Sequence, residues 1–161
     1  MEAFDVNLPT LQATNRLGEC IGRVALPGDA LLLIGELGTG KTTLTQAIAR
    51  SLGILDKVVS PTFTLVNEYR EHASDSPKKF PLFHFDLYRL EAAQTDELGL
   101  WEYWEGNRGL VVIEWAERLL DQPDDFLEVK LFHAGEERRA RLISHGERSF
   151  SWLKEIVSCW S

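Results

Sequence analysis

The sequence predicts an α/β fold on a mixed sheet, with a parallel core and antiparallel strands at the edge. Three observations predict it. Residues 30–34 (Ala-Leu-Leu-Leu-Ile) and 110–113 (Leu-Val-Val-Ile) are short, wholly apolar runs, the pattern of strands buried on both faces. The first run feeds a glycine-rich loop and then a helical period, so strand, loop and helix follow in order. The last third instead alternates apolar and polar residues about a turn, as an antiparallel hairpin does.

The elements follow in chain order. Thr10 can cap a first helix that places Leu17, Cys20, Ile21 and Val24 on one face. Pro27-Gly28-Asp29 turns the chain into the first core strand. After the glycine loop, Leu44, Ala47, Ile48 and Leu52 recur at helical spacing, and Gly53 supplies a stop. Residues 60–69 read as coil entering a strand, and residues 80–88 as a further strand. Between them, residues 71–79 are polar and read as an exposed connection. Residues 95–106 read as one helix carrying Trp101 and Trp104. Residues 126–132 and 139–143 form the expected hairpin around Ala134-Gly135, and residues 151–160 a closing helix. No internal repeat or low-complexity tract interrupts the chain, so all 161 residues are expected to form one domain.

The loop carries the most chemical information. Gly35-Glu36-Leu37-Gly38-Thr39-Gly40-Lys41-Thr42 fits the pattern G-x-x-x-x-G-K-[ST] at every constrained position. Glycines let the backbone curl so that successive N–H groups point at phosphate oxygens. Lys41 supplies a cation for the β and γ phosphates, the Thr42 hydroxyl can ligate magnesium, and the following helix offers its positive end to the same anion. These residues predict binding of a nucleoside triphosphate with magnesium in a three-layer fold like that of the P-loop NTPases.

Magnesium needs a second acid, normally at the end of a strand beside the loop. Glu114, which ends Leu-Val-Val-Ile, is the first candidate, with a helix-capping acid as its plainer reading. Asp86 is the second. Alternation through Phe83-His84-Phe85-Asp86-Leu87 puts His84 and Asp86 on one face, so that Asp86 either holds magnesium through water, positions the attacking water, or simply faces solvent. His84 reads equally well as a structural or a catalytic histidine. Ser60, Thr62 and Thr64 share a face if extended, and fit either a γ-phosphate-sensing segment or a threonine-rich strand. Trp115 reads first as a core tryptophan and otherwise as a shield for the site.

Bulk properties narrow the function. The net charge of −8 opposes direct holding of nucleic acid, so any action on RNA is expected to go through a partner. The one basic stretch, Arg138-Arg139-Ala140-Arg141 after Glu136-Glu137, is mixed in sign and reads as a solvated strand edge. No run of about 18 apolar residues is present to span a membrane. The opening Met1-Glu2-Ala3-Phe4-Asp5 lacks the basic-then-apolar form of a signal peptide. Cys20 and Cys159 are too few for a disulfide framework and read as reduced thiols of a cytoplasmic protein.

Four linked segments carry a family resemblance: Gly-Glu-Leu-Gly-Thr-Gly-Lys-Thr-Thr-Leu-Thr, Ser-Pro-Thr-Phe-Thr-Leu-Val-Asn-Glu-Tyr, Phe-His-Phe-Asp-Leu-Tyr-Arg-Leu and Val-Ile-Glu-Trp-Ala-Glu. In order and spacing this chain resembles the TsaE family, also called the YjeE ATPases, over residues 10 to about 120. Ala116 stands where the family often has proline, and residues 71–79 are a longish connector. The resemblance implies a bacterial ATPase that helps make threonylcarbamoyladenosine in tRNA beside the anticodon. It implies action with TsaD and TsaB, TsaD performing the transfer, with tRNA contacted only indirectly and the lone chain monomeric. ATP and Mg2+ are the implied cofactors, and hydrolysis by the chain is implied to be slow. By the same likeness, Gly35, Leu37, Gly38, Thr39, Gly40, Lys41, Thr42 and Thr43 match the phosphate site, and Thr42 and Glu114 the magnesium site. Lys41, Asp86 and Glu114 match the catalytic positions, Ser60, Thr62 and Thr64 a switch-like segment, Trp115 a functionally sensitive position, and Thr14 the adenine end.

Two other classes compete. A small P-loop nucleotide or metabolite kinase would usually carry an arginine-rich lid, whereas residues 71–79 hold two lysines and no arginine. A nucleotide-gated binding module would need ATP binding but not hydrolysis. A GTPase is disfavoured by the lack of an Asn-Lys-x-Asp motif.

Overall fold

A computed structural model describes residues 2–61 and 65–161. Its centre is a seven-stranded sheet: β1 (Ala3–Leu8), β2 (Ala30–Ile34), β3 (Val66–Tyr69), β4 (Leu82–Asp86), β5 (Leu110–Glu114), β6 (Phe126–Ala134) and β7 (Glu137–His145), in the spatial order β1-β7-β6-β2-β5-β4-β3. β6, β2, β5 and β4 run parallel. β7 and β1 extend one side antiparallel, and β3 closes the other. This is the mixed sheet expected, and the helices on its two faces make it three-layered.

The apolar strands alternate between the two faces. Leu31, Leu33, Val112, Leu127 and Val129 face α1 (Leu11–Arg23), α2 (Lys41–Ser51) and α5 (Glu147–Trp160). Ala30, Leu32, Phe83, Phe85, Val111 and Ile113 face the side of α3 (Ala92–Glu97) and α4 (Trp101–Glu105), where Leu100 and Trp104 close the second core. A strand buried on both faces has no polar face to show, which is why β2 and β5 read as unbroken apolar runs.

Helix α1 begins where expected, the Ala13 N–H donating to the Thr10 hydroxyl at 3.1 Å. It packs tightly on α2 because Gly18 has no side chain. A Cβ there would lie 2.6 Å from the Ala47 Cβ and 2.8 Å from the Leu44 carbonyl oxygen. That close approach brings the start of α1 beside the glycine loop.

Several expectations need correction. The helix expected over residues 95–106 is two short helices, broken at Gly99 (φ +63°), and the first begins earlier, at Ala92. β1 was not expected, although Phe4, Val6 and Leu8 alternate with Asp5 and Asn7; Val6 and Leu8 are buried. Because β1 covers β7, the basic stretch at 138–141 is on an inner strand and not at a sheet edge, and Arg141 pairs with Asp5 at 2.8 Å. The cysteines are not free thiols: Cys20 on α1 and Cys159 on α5 form a disulfide. Packing of α5 against α1 brings their Cα atoms to 5.7 Å, and Arg16 of α1 also donates to the Trp160 carbonyl and lies over its ring. No described helix is long and apolar enough to cross a membrane.

The bridge spans 139 residues, so it removes much freedom from the unfolded chain, worth about 5 kcal/mol on a chain-entropy argument. Reduction, or Cys159→Ser, is expected to lower Tm by about 10 °C. Thermal melts with and without reductant, beside intact-mass spectra, check this; two free thiols in the non-reduced protein would contradict it.

Candidate functional site

The glycine loop leaves β2 at its carboxyl end, between the parallel neighbours β6 and β5, where open α/β sheets place their ligands. Gly38 (φ +78°) and Gly40 (φ +103°) adopt the left-handed backbone that side chains resist. Gly35 is needed for space: a Cβ there would lie 2.7 Å from the Thr39 hydroxyl and 2.8 Å from the Leu131 carbonyl oxygen. The Thr39 hydroxyl donates to the Glu36 carbonyl at 2.8 Å and braces the curl.

Lys41 opens α2 and folds back over the loop. Its Nζ donates to the carbonyls of Gly35 (2.5 Å) and Glu36 (3.0 Å) and lies 4.3 Å from the centre of the Trp115 ring. Burial lowers its pKa, and the carboxylates of Glu114, Glu117 and Asp86 oppose that shift. Trp115 has a left-handed backbone (φ +58°, ψ +42°), an uncommon state for a bulky residue. Its ring packs against Tyr88 at 4.8 Å. Trp115 is therefore half-buried beside the lysine, at the margin of the second core and not within it.

Strand register assembles the acids. Glu114 lies opposite Leu33 of β2 and Asp86 of β4, so both carboxylates stand at the carboxyl ends of the parallel strands. Glu114 is only 2 % exposed. It takes hydrogen bonds from the Thr42 hydroxyl (3.2 and 3.4 Å to its two oxygens), the Ser60 hydroxyl (3.4 Å) and His84 Nε2 (2.5 Å). Thr42 and Ser60 lie 3.1 Å apart. Glu114 is thus no helix cap; its carboxylate faces the loop. Asp86 is half-buried and accepts the Tyr88 N–H at 3.0 Å. Burial raises its pKa, with Glu114 acting in the same sense and the Tyr88 amide opposing.

Lys41, Thr42, Ser60, Asp86, Glu114 and Trp115 line one cavity of about 290 Å³ together with the loop. Thr14, Leu11, Gly40, Thr43 and Arg138 line an adjoining cavity of about 280 Å³ on the other side of the loop. The expected site residues therefore converge, Thr14 through the second cavity. Thr62 and Thr64 lie outside the described residues. Sequence reading missed the hairpin's part. His133 Nε2 lies 3.2 Å from the Leu37 carbonyl, and Arg138 Nε donates to the Gly38 carbonyl at 3.2 Å, so the tip of β6–β7 clasps the loop. The basic stretch 138–141 carries a signal for Arg138 but none for His133.

A glycine loop between a central strand and its helix, with a strand-end carboxylate facing the hydroxyl after the loop lysine, defines the P-loop NTPase-like class of α/β proteins. Comparison narrows the class. The family model "Threonylcarbamoyl adenosine biosynthesis protein TsaE" matches residues 8–141. The chain is 43 % identical over 131 residues to the tRNA threonylcarbamoyladenosine biosynthesis protein TsaE of Nostoc sp., covering 80 % of this chain and 77 % of that one. It is 39 % identical over 148 residues to the protein of the same name from Bacillus subtilis, covering 91 % and 89 %. The crystal structure of Bacillus subtilis YdiB superposes with a TM-score of 0.79 at 31 % identity, over 98 % of this chain and 95 % of that one. The chain belongs to the TsaE family.

The pKa shift of Asp86 has a testable consequence. Its folded-state pKa lies above the ordinary 3.8, so ionisation costs stability once the pH exceeds that value, and the cost is complete above the folded pKa. Asp86→Asn is expected to match or exceed the parent Tm at neutral pH and to lose any advantage below pH 3.8. Paired melts across pH check the sign; a large loss of Tm at pH 7 would contradict it.

Proposed function

We propose that this chain is an ATP-binding, magnesium-dependent and slowly ATP-hydrolysing accessory protein of tRNA threonylcarbamoyladenosine biosynthesis. The observation that carries the reading is the meeting of Lys41, Thr42 and Glu114 at the mouth of the glycine loop. Loop amides and Lys41 bind the β and γ phosphates. Thr42 and Glu114 would hold magnesium, Glu114 directly or through water, and the bound ion would supply charge neutralisation for phosphoryl transfer to water. Thr14 borders the nucleoside end. Asp86 positions water or magnesium beside Glu114, and Ser60, in hydroxyl contact with Thr42, starts the segment that reports the γ-phosphate.

Among the described residues lining the phosphate cavity, Lys41 is the one cation. A partner that added an arginine or an equivalent group would accelerate hydrolysis by roughly 10³ to 10⁵. The relatives' names support a role in tRNA modification, and the charge of −8 supports delegated RNA binding. In this reading TsaD and TsaB are the partners, ATP orders the docking surface and the cytoplasm is the setting. Nothing in the cavity favours the kinase alternative, for which no arginine-rich lid is seen among the described residues.

Two experiments test the reading. In titration calorimetry Lys41→Ala is expected to abolish tight ATP binding and Glu114→Gln to keep much of the nucleotide affinity, while in a hydrolysis assay Glu114→Gln loses phosphate release. Wild-type ATP affinity in Lys41→Ala would refute the phosphate site. Co-purification with TsaD and TsaB is expected to depend on ATP, with a tRNA gel shift of the chain alone remaining weak. Equal capture under ATP, ADP and no nucleotide would remove the switch.

A further inference from the structure

His84 is completely buried in the middle of β4. Its face of the strand packs with apolar neighbours such as Leu82 and, across β5, Val112. Its Nε2 meets Glu114 Oε2 at 2.5 Å, the shortest of the contacts that Glu114 receives. Its Nδ1 is buried with no hydrogen-bond partner among the described residues. The Glu114 carboxylate accepts, so Nε2 carries the proton, and Nδ1 is a buried ring nitrogen that costs about 1–3 kcal/mol. An apolar side chain of similar size would avoid that cost but take from the buried Glu114 carboxylate its shortest contact, so the histidine is explained by what it does for Glu114. His84 also does not line the phosphate cavity, so it reaches that cavity only through Glu114.

We infer that His84 is a positioning residue: its Nε2–H fixes the Glu114 carboxylate toward Thr42 in the geometry that magnesium requires. The inference rests on the reading of Glu114 given above. The physical need is clear. Thr42 and Ser60 bond to Glu114 through rotatable hydroxyls, and once Thr42 turns its oxygen to a cation it no longer donates. His84 is the donor on a rigid strand that persists in either state, and it leaves the second carboxylate oxygen available. Donors of this kind behind a metal-bound carboxylate change metal affinity by about 10- to 100-fold when removed.

The test compares the parent chain with His84→Leu and His84→Gln. ATP affinity is measured by calorimetry in EDTA and across a magnesium series, beside Tm and the magnesium dependence of phosphate release. Affinity in EDTA is expected to be the same in all three. The magnesium enhancement should fall about tenfold or more in His84→Leu and largely return in His84→Gln, whose amide can donate to Glu114. The magnesium concentration for half-maximal hydrolysis should rise more than kcat falls, and the Tm of His84→Leu is expected below the parent's, because Glu114 loses a buried donor. A purely structural histidine would lower the Tm with unchanged magnesium dependence, and that result overturns the inference. If His84→Leu fails to fold, His84→Asn, whose shorter amide stops short of Glu114, decides on the same readout, and parent-like magnesium dependence in it is again contrary. A parent chain whose ATP affinity ignores magnesium overturns the reading of Glu114, and this inference with it.

Discussion

The buried carboxylate of Glu114 is the constraint on which the site depends. A carboxylate removed from water must find donors, and this one finds them on three separate elements: Thr42 at the start of α2, Ser60 beyond that helix, and His84 on β4. Satisfying one buried charge therefore ties the loop helix, the following segment and the neighbouring strand to a single point. The same arrangement leaves a concentrated negative charge facing the loop, close to where Lys41 supplies the positive one.

The sheet makes this possible through register. β2, β5 and β4 run parallel and nearly level, so Leu33, Glu114 and Asp86 reach the same height at their carboxyl ends. The loop departs from there, and the antiparallel β6–β7 hairpin reaches its far side through His133 and Arg138. The loop is thus held by the parallel strand behind it and by the hairpin beside it. On the remaining side α1, drawn onto α2 by the bare backbone of Gly18, places Thr14 at the loop.

What could be read from the sequence follows from how local each cause is. The glycine loop, Lys41, Thr42, α1 with its Thr10 cap, and the doubly buried strands β2 and β5 each depend on a few consecutive residues, and all were legible. Alternation correctly set His84 and Asp86 opposite Phe83 and Phe85. It left open whether their face met solvent or a partner, because the Glu114 contact spans 30 residues. Arg138 was misread for the same reason. Whether β7 is an edge depends on β1, at the other end of the chain. The Cys20–Cys159 bridge likewise depends on α5 docking on α1, which no local pattern announces. The break at Gly99 was a local signal that apolar and aromatic residues on either side obscured.

A crystal structure with a non-hydrolysable ATP analogue and Mn2+, located by anomalous scattering, tests the central claim most directly. The account predicts one manganese ion bound to the Thr42 hydroxyl and a phosphate oxygen, with the Glu114 carboxylate in its coordination sphere or one water away and still bonded to His84. A cation that sits elsewhere on the nucleotide, with Glu114 turned from it, would contradict the account.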